Sequence, residues 1–345
     1  MNQRVVVGMS GGVDSAAAAL LLLRAGYSVA GVFLRLWGEG DLSGAESVCK
    51  SLGIPLAVVD GRELFGREVI EPFVREYLSG RTPNPCVGCN RHVKLPLLLR
   101  YMELTGADLA ATGHYARRGE ENGATLLMRA SYLPKDQSYA LCMVKREITQ
   151  RLLLPLGELS KAEVRALVRE AGLPLANKAE SQDICFVPGG DYSAFVEGFC
   201  GDLKPMGRFK LESGEDLGPH RGLWRYTVGQ RRGLGVALGY PVFVRRIDVS
   251  SGDVFLSADS ALYSRSLVTD PLNWLDRDRL TGPERFTVKQ RYGAKPAWAL
   301  VTPLKNGGAL VEFDSPQRAI TPGQSAALYN GEILCGGGAI IECCD

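Results

Sequence analysis

The eight residues Gly8-Met9-Ser10-Gly11-Gly12-Val13-Asp14-Ser15 constrain this chain more than any others, because they join the apolar run Val5-Val6-Val7 to the alanine- and leucine-rich run Ala16 to Leu23. A β-branched run that passes through small residues into strong helix formers reads as strand, tight turn and helix. Small residues let backbone N–H groups close around an anion at the start of a helix, where the positive end of the macrodipole adds attraction. The turn is therefore a phosphate cradle. A plain tight turn also uses Gly-x-Gly, but the full pattern is more specific than that. The Walker A pattern ends in Gly-Lys-Ser/Thr, whereas Val13-Asp14-Ser15 stands here, which argues against a kinase- or GTPase-type γ-phosphate site.

Beyond the cradle, strand-like and helix-like runs alternate. Arg4–Val7, Ser28–Leu34, Pro55–Val59 and Asp108–Thr112 read as strands; Ser15–Ala25, Ala45–Leu52, Glu63–Leu78 and Leu95–Leu104 read as helices. This pattern predicts an α/β unit with a parallel, helix-covered sheet, whose ligands sit beyond the carboxyl ends of the strands. Ser10, Leu34, the Asp60 turn and Gly113-His114 all fall there. Helical character continues in Asp136–Val144 and in Lys161–Ala171, the latter opened by a capping box of Ser160 and Glu163. After about Cys200, Gly- and Pro-rich turns separate short β-branched and aromatic segments: Tyr240–Ile247, Asp253–Leu256, Phe286–Gln290, Ala309–Phe313 and Ser325–Tyr329. The second half is expected to be β-rich, as two small modules meeting near Ser257–Arg265.

With 345 residues the chain has room for two or three domains, and 46% apolar and 23% charged residues place it among ordinary globular proteins. The longest apolar stretch near the start, Ala16–Leu23, follows a glycine loop and not a basic leader, so no membrane span and a cytoplasmic setting are expected. Nine cysteines, an odd number without an export signal, point to thiols used for chemistry or metal. A net charge of +2 is too small to reveal a nucleic-acid partner.

The segment Thr82-Pro83-Asn84-Pro85-Cys86-Val87-Gly88-Cys89-Asn90 is a proline-bounded loop that carries two thiols at C-x-x-C spacing before a helix. Arg91, His92, Lys94 and the nearby helix start are expected to lower the pKa of Cys89. Zinc would need two more ligands, and no second C-x-x-C exists, Cys343 and Cys344 being adjacent. Far away lies Ser181-Gln182-Asp183-Ile184-Cys185-Phe186-Val187, a strand-like segment in which Cys185 alone reads as a buried core thiol.

The Ser-Gly-Gly-Val-Asp-Ser cradle resembles the pyrophosphate loop of ATP pyrophosphatases, which cleave ATP between the α- and β-phosphates. Taken with the Asn-Pro-x-x-x-Cys-Asn loop and Gln-Asp-Ile-Cys-Phe, it is similar to the bacterial tRNA-specific 2-thiouridylase family. Ala111 to Ala116, Lys135 to Tyr139, Thr227 to Gly235, Arg291-Tyr292 and Ile320 to Gln324 extend the resemblance to the last few residues. The resemblance implies a HUP-like ATP pyrophosphatase domain (1–200), a small central tRNA-binding domain (201–262) and a C-terminal β-barrel (263–345). It implies ATP held by Gly8, Met9, Ser10, Gly11, Gly12, Val13, Asp14 and Ser15, with Leu34, in place of an expected methionine, and Gly113 on the adenosine side and Mg²⁺ on the polyphosphate. It implies a wobble uridine adenylated at O2, with Cys89 as the nucleophile and Cys185 as the persulfide carrier. Asn84, Pro85, Cys86, His114, Lys135, Asp136, Gln137, Arg231, Arg232, Arg291, Tyr292 and Gln324 match positions that touch tRNA. Any single one of these cations, read alone, is a solvated surface charge.

One departure stands out. The better-known form of the family has Asp where this chain has Cys86. Three thiols, Cys86, Cys89 and Cys185, would hold a [4Fe–4S] cluster with one iron open to sulfide, whereas a persulfide relay needs only Cys89 and Cys185. The third thiol tips the expectation toward the cluster, and the sulfur donor is left open between a cysteine desulfurase relay and inorganic sulfide. The rivals are another enzyme with the same loop, which needs no paired cysteines, a sulfur or cluster carrier with regulatory ATP, and a non-catalytic nucleotide-gated RNA-binding protein, which predicts a damaged loop.

Overall fold

A computed structural model describes residues 3–121, 123–174, 184–204 and 206–344. Among them, β1 (Arg4–Gly8), β2 (Ser28–Arg35), β3 (Leu56–Asp60), β4 (Leu109–Ala111) and a short strand Leu152–Leu153 form one parallel sheet in the order β3, β2, β1, β4, Leu152–Leu153. The order reverses direction at β1, so the crevice beyond its carboxyl end lies between β2 and β4. Helix α1 (Val13–Arg24) packs its alanines against one face, with Ala16, Ala17, Ala18 and Ala19 wholly buried. Helix α2 (Leu42–Leu52) follows β2 and ends on Gly53 in the left-handed conformation. The second face is covered by a helix that runs unbroken from Pro85 to Thr105 and contains a π turn at Asn90–Lys94.

Several segments differ from their sequence reading. The helix expected at Asp136–Val144 is instead a pair of 3₁₀ turns, Leu133–Lys135 and Ser138–Leu141. The buried Asp136 carboxylate accepts from Ala130 N at 3.0 Å and Ser138 N at 3.1 Å, which closes a turn where a helix would have run through. Just before it, a hairpin of Ala116–Glu121 and Ala124–Arg129 has no counterpart in the sequence reading. Cys185 and Phe186 lie in a turn, not a strand, because Phe186 and Val187 fold inward onto an aromatic core. Ser181, Gln182 and Asp183 lie outside the described residues.

The second half is β-rich, as expected. Strands Phe243–Asp248, Asp253–Ser257, Arg208–Leu211 and Asp216–Pro219 make a small central sheet in that order. Six antiparallel strands then close into a barrel: Tyr263–Thr269, Ala309–Arg318, Ala297–Pro303, Glu284–Lys289, Ser325–Asn330 and Ile333–Cys344, the last pairing with the first. Closure removes the open edges that an isolated sheet would expose. The barrel is welded to the first domain. Ile333 pairs with Met128 of the hairpin, and Tyr329 and Leu334 share one core with Val6, Leu98 and Tyr139.

Candidate active site

Beyond the carboxyl ends of β1, β2 and β4 opens a cavity of about 400 Å³, lined among others by Gly8, Met9, Ser10, Asp14, Ser15, Leu34, Trp37, Lys94, Gly113, His114 and Cys185. Its phosphate end is shaped by glycines. Gly11 has φ +71°, and a Cβ there would stand 2.5 Å from the Asp41 carbonyl oxygen. A Cβ on Gly113 would stand 2.8 to 3.0 Å from backbone atoms of Asp14 and Ser15. Gly12 caps α1 with no side-chain hydrogen bond, so the cap residue's side chain takes none of the first N–H groups of the helix. Ser15 Oγ braces the turn by accepting from Ser10 N at 3.1 Å and donating to Gly12 O at 3.0 Å. Met9 and Val13 are buried in the core, so they serve the loop through their backbone alone.

Asp14 is tied from two sides. Tyr115 donates its hydroxyl to Asp14 Oδ1 at 2.8 Å, and Lys161 Nζ donates to the same oxygen at 2.6 Å. Lys161 also lies 5.7 Å above the Tyr115 ring. The sequence reading identified the capping box of Ser160 and Glu163, which the structure contains, but missed that the next residue reaches the phosphate loop. The signal was the loop's missing lysine: a bound polyphosphate needs cationic partners, and with no Lys in the turn they come from elsewhere.

The thiols occupy the other end. Asn84 Oδ1 accepts from Cys86 N at 3.1 Å and Pro85 opens the helix, which sets Cys86 exposed on the first turn and Cys89 buried on the second. Cys89 and Val93 share a core with Phe186 and Val187, and this packing carries the Cys185 turn onto the helix. The expectation that neighbouring cations lower the Cys89 pKa is overturned. Burial raises it, with Lys94 opposing. Burial and the adjacent Cys89 thiol push Cys185 up to about 11, again against Lys94. Lys94 lies one helical turn after Asn90, lines the cavity, and is the cation that both thiols feel. Burial and Lys94 together push His114 down to about 3, so at neutral pH it is an uncharged hydrogen-bonding group, 2.8 Å from Thr112 Oγ1. Among the described residues, no three His, Cys, Asp or Glu side chains stand close enough together to hold a metal ion. The three thiols as they stand therefore do not fit a preformed cluster.

The remaining candidates fall into three groups. Tyr292 is half exposed beside the buried Tyr139, with ring centroids 6.2 Å apart, and the charges of Lys135 and Cys86 reach it. Gln137 lines the nucleotide cavity and accepts from Tyr115 N at 3.0 Å. Asp136, by contrast, is 3% exposed and its oxygens are engaged by Ala130 N, Ser138 N and Ser138 Oγ, so it shapes the turn and presents nothing to a ligand. Arg231 and Arg232 are exposed on the central domain, where Arg231 borders a separate hollow of about 380 Å³. Arg291 is partly buried, and Gln324 donates to Thr82 O at 2.8 Å. Trp37, absent from the sequence reading, lines the cavity and packs edge-on against Phe186 at 6.4 Å, beside Cys185.

Comparison with known proteins agrees with this architecture. The family profile described as the tRNA methyl transferase HUP domain matches residues 3–189, the tRNA methyl transferase PRC-barrel domain 194–258, and the aminomethyltransferase beta-barrel domain 264–340. The chain is 45% identical to the tRNA-specific 2-thiouridylase MnmA of Heliobacterium modesticaldum, over 99% of this chain and 93% of that protein. It is 44% identical to the protein of the same name from Acetivibrio thermocellus, over 98% and 99%, and 43% identical to that from Acidithiobacillus ferrooxidans, over 98% of each. With matches that run through all three sheets, the chain belongs to the MnmA family of tRNA-specific 2-thiouridylases.

Proposed function

We propose that this chain is an ATP-dependent sulfurtransferase that converts the wobble uridine of tRNA to 2-thiouridine. The observation that carries the reading is that a phosphate loop and a thiol, Ser10 and Cys185, line one cavity. The uridine O2 attacks the α-phosphorus of ATP, the bond to the bridging oxygen of the β-phosphate breaks, and pyrophosphate leaves. The O-adenylated base now carries AMP, a good leaving group. The terminal sulfur of a Cys185 persulfide attacks C2 and displaces AMP. The Cys89 thiolate then attacks the Cys185 sulfur of that bond, which releases 2-thiouridine and leaves a Cys89–Cys185 disulfide for an external thiol to reduce. Methyl transfer, which the names of two of the matching families carry, gives a polyphosphate cradle no task.

The roles of the residues follow from their places. Backbone N–H groups of Gly8 to Ser15 receive the polyphosphate, and Lys161 supplies the positive charge the loop lacks. Asp14 and Asp41 are the carboxylates that line the loop end of the cavity and would hold a Mg²⁺ ion, which would neutralise phosphate charge there. Leu34 and Gly113 flank the adenosine. Asn84, Cys86, Lys135 and Tyr292 receive the flipped base and its phosphates, with Tyr292 offering a stacking face. Arg231, Arg232 and Arg291 contact the tRNA backbone farther out. We propose the persulfide relay over the cluster, since the three thiols do not group as metal ligands, and a sulfane-sulfur donor such as a cysteine desulfurase relay fits it. Free thiols such as Cys86, Cys89, Cys142 and Cys185 suit a reducing compartment such as the cytoplasm, and no helix among the described residues is long and apolar enough to cross a membrane. The division into residues 1–200, 201–262 and 263–345 would give these three parts adenylation, tRNA grip and barrel support.

The reading is tested by incubating the protein with tRNA, ATP and a persulfide donor, then measuring AMP, pyrophosphate and 2-thiouridine. All three products are expected in equal amounts. Cys89→Ser and Cys185→Ser should lower thiolation at least about 10³-fold, as loss of a covalent catalyst does; Cys86→Ser should stay within severalfold of the parent. ADP and phosphate as main products would overturn the reaction class, and loss of activity in Cys86→Ser would restore the cluster.

A further inference from the structure

A cavity that receives ATP takes in a polyanion, yet among the described residues that line it only Lys94 carries a positive side chain. Lys161 is not part of the lining and its ammonium is engaged by Asp14 at 2.6 Å. We infer that Lys94 binds the α-phosphate of the nucleotide through both half-reactions, as a further catalytic residue, while the loop and Lys161 serve the β- and γ-phosphates. The long helix places it for that task. Leu98, one turn beyond Lys94, has its Cδ2 3.6 Å from the point where a Cβ on Gly8 would stand, so this face of the helix abuts the first residue of the phosphate loop. Earlier on the same helix Cys89 is buried with Val93 against Phe186. Lys94 stands between loop and thiol, at the end of the π turn Asn90–Lys94, a widened turn of the kind that helices frequently keep at functional sites.

The charge of Lys94 reaches Cys89 and Cys185 on one side and His114 on the other. His114 is held uncharged by burial and offers no second cation. The α-phosphate is the one phosphate that both half-reactions share. In the first, negative charge builds on its oxygens as uridine O2 bonds to phosphorus and the bridging oxygen leaves with pyrophosphate. In the second, it stays on the base until sulfur bonds to C2 and the C2–O bond breaks, its electron pair leaving on AMP. An ammonium fixed beside that phosphate stabilises the charge that develops in each step. One placed at the β- and γ-phosphates would serve the first step alone, since pyrophosphate has left before sulfur attacks. The place of Lys94 between the loop and the thiols is the place such a shared cation needs.

This inference rests on the thiolation reading, and titration with separate pieces of the nucleotide keeps the two apart. Adenosine, AMP, inorganic pyrophosphate and ATP are titrated by calorimetry, without tRNA, into the parent, Lys94→Met, Lys94→Gln and Lys94→Arg. Lys94→Met and Lys94→Gln should each raise the Kd for AMP about tenfold, as loss of one charge-assisted contact does, and leave those for adenosine and pyrophosphate within about twofold. Lys94→Arg, which keeps the charge, should recover most of the AMP affinity. With tRNA and saturating ATP, pyrophosphate release by Lys94→Met in a single turnover should fall at least about tenfold. An unchanged Kd for AMP overturns the inference, because Lys94 then serves the thiols alone. AMP and adenosine weakened alike overturn it as well, because Lys94 then only shapes the wall. Pyrophosphate weakened in place of AMP would move Lys94 to the polyphosphate end and overturn the shared role. A parent that binds ATP but forms no 2-thiouridine overturns the thiolation reading, while the AMP titration still decides whether Lys94 holds the α-phosphate.

Discussion

At the loop end of the cavity, Gly8 to Ser15 lie within one strand, one turn and one helix, and the glycines that shape the turn, Gly11 against Asp41 and Gly113 against Asp14 and Ser15, all come from the first domain. At the thiol end, Cys86 and Cys89 sit on a helix whose entry is fixed by Pro322 and Gln324, more than two hundred residues on, and by Thr227. Cys185 arrives there only because Phe186 and Val187 are buried with Val93 and Phe73. The first end is built within one domain; the second is assembled from three. A loop built within one domain is set by that domain's own packing, whereas a site assembled from three depends on where whole domains settle.

The comparison is broken most directly at Gly113. A methyl group there would overlap the backbone of Asp14 and Ser15 at 2.8 to 3.0 Å. Gly113→Ala is expected to push the loop off its anion-binding geometry and cut tRNA-dependent pyrophosphate release by at least about 100-fold. tRNA affinity, measured at fixed salt, should stay within about twofold, because the thiol end and the basic surface are built elsewhere. Equal loss of tRNA binding would show that the two ends are not separable.

What the sequence revealed follows the same division. The cradle, the parallel sheet and the capping box at Ser160 are written in contiguous residues, and all are present. The hairpin Ala116–Arg129 was invisible because its strands mix Arg, Glu and Leu without a clean alternation; it is ordered by the barrel edge at Ile333. Asp136 reads as an exposed tRNA contact in its Lys-Asp-Gln context, yet its burial is imposed by Tyr329, Ser138 and Arg129 converging from distant segments. Lys161 and Trp37 were missed for the same reason. No local pattern says that Lys161 reaches an aspartate 147 residues earlier.

Lys161 sharpens the comparison, being a long-range cation paired with Asp14 at the loop end. Its side chain is 13% exposed and ion-paired with Asp14. Lys161→Met should leave tRNA affinity intact and raise the KM for ATP about tenfold, in line with loss of one charge-assisted contact of about 1.5 kcal/mol. The same variant strips Asp14 of its cation, so Asp14→Asn combined with Lys161→Met should cost less than the two single losses added together. Strict additivity in that cycle, read from kcat/KM, would mean that the ion pair has no part in holding ATP.

The smallest expected effect concerns the thiol end, where burial and a single lysine oppose one another. The Cys185 side chain is solvent-exposed on its turn, yet desolvation against the cavity wall pushes its thiol up to about 11, almost wholly protonated at neutral pH, with about one part in a thousand ionised at pH 8. The thiolate is the species that alkylates. Cys185 alkylation should therefore climb about tenfold for each pH unit between 8 and 10, where an ordinary thiol with a pKa near 8.5 is already levelling off. Lys94 favours the thiolate of both Cys89 and Cys185. Lys94→Met removes that charge, raises both pKa values further, and should slow alkylation severalfold at every pH below the midpoint, while Lys94→Arg should hold the parent rate. The low thiolate fraction also keeps the resting thiols slow to oxidise, which suits a site that must wait for sulfur and RNA together. A Cys185 rate that flattens below pH 9, or is unmoved by Lys94→Met, would mean that burial does not govern this thiol, and that the assembled end of the site is more open than its packing against Phe186 implies.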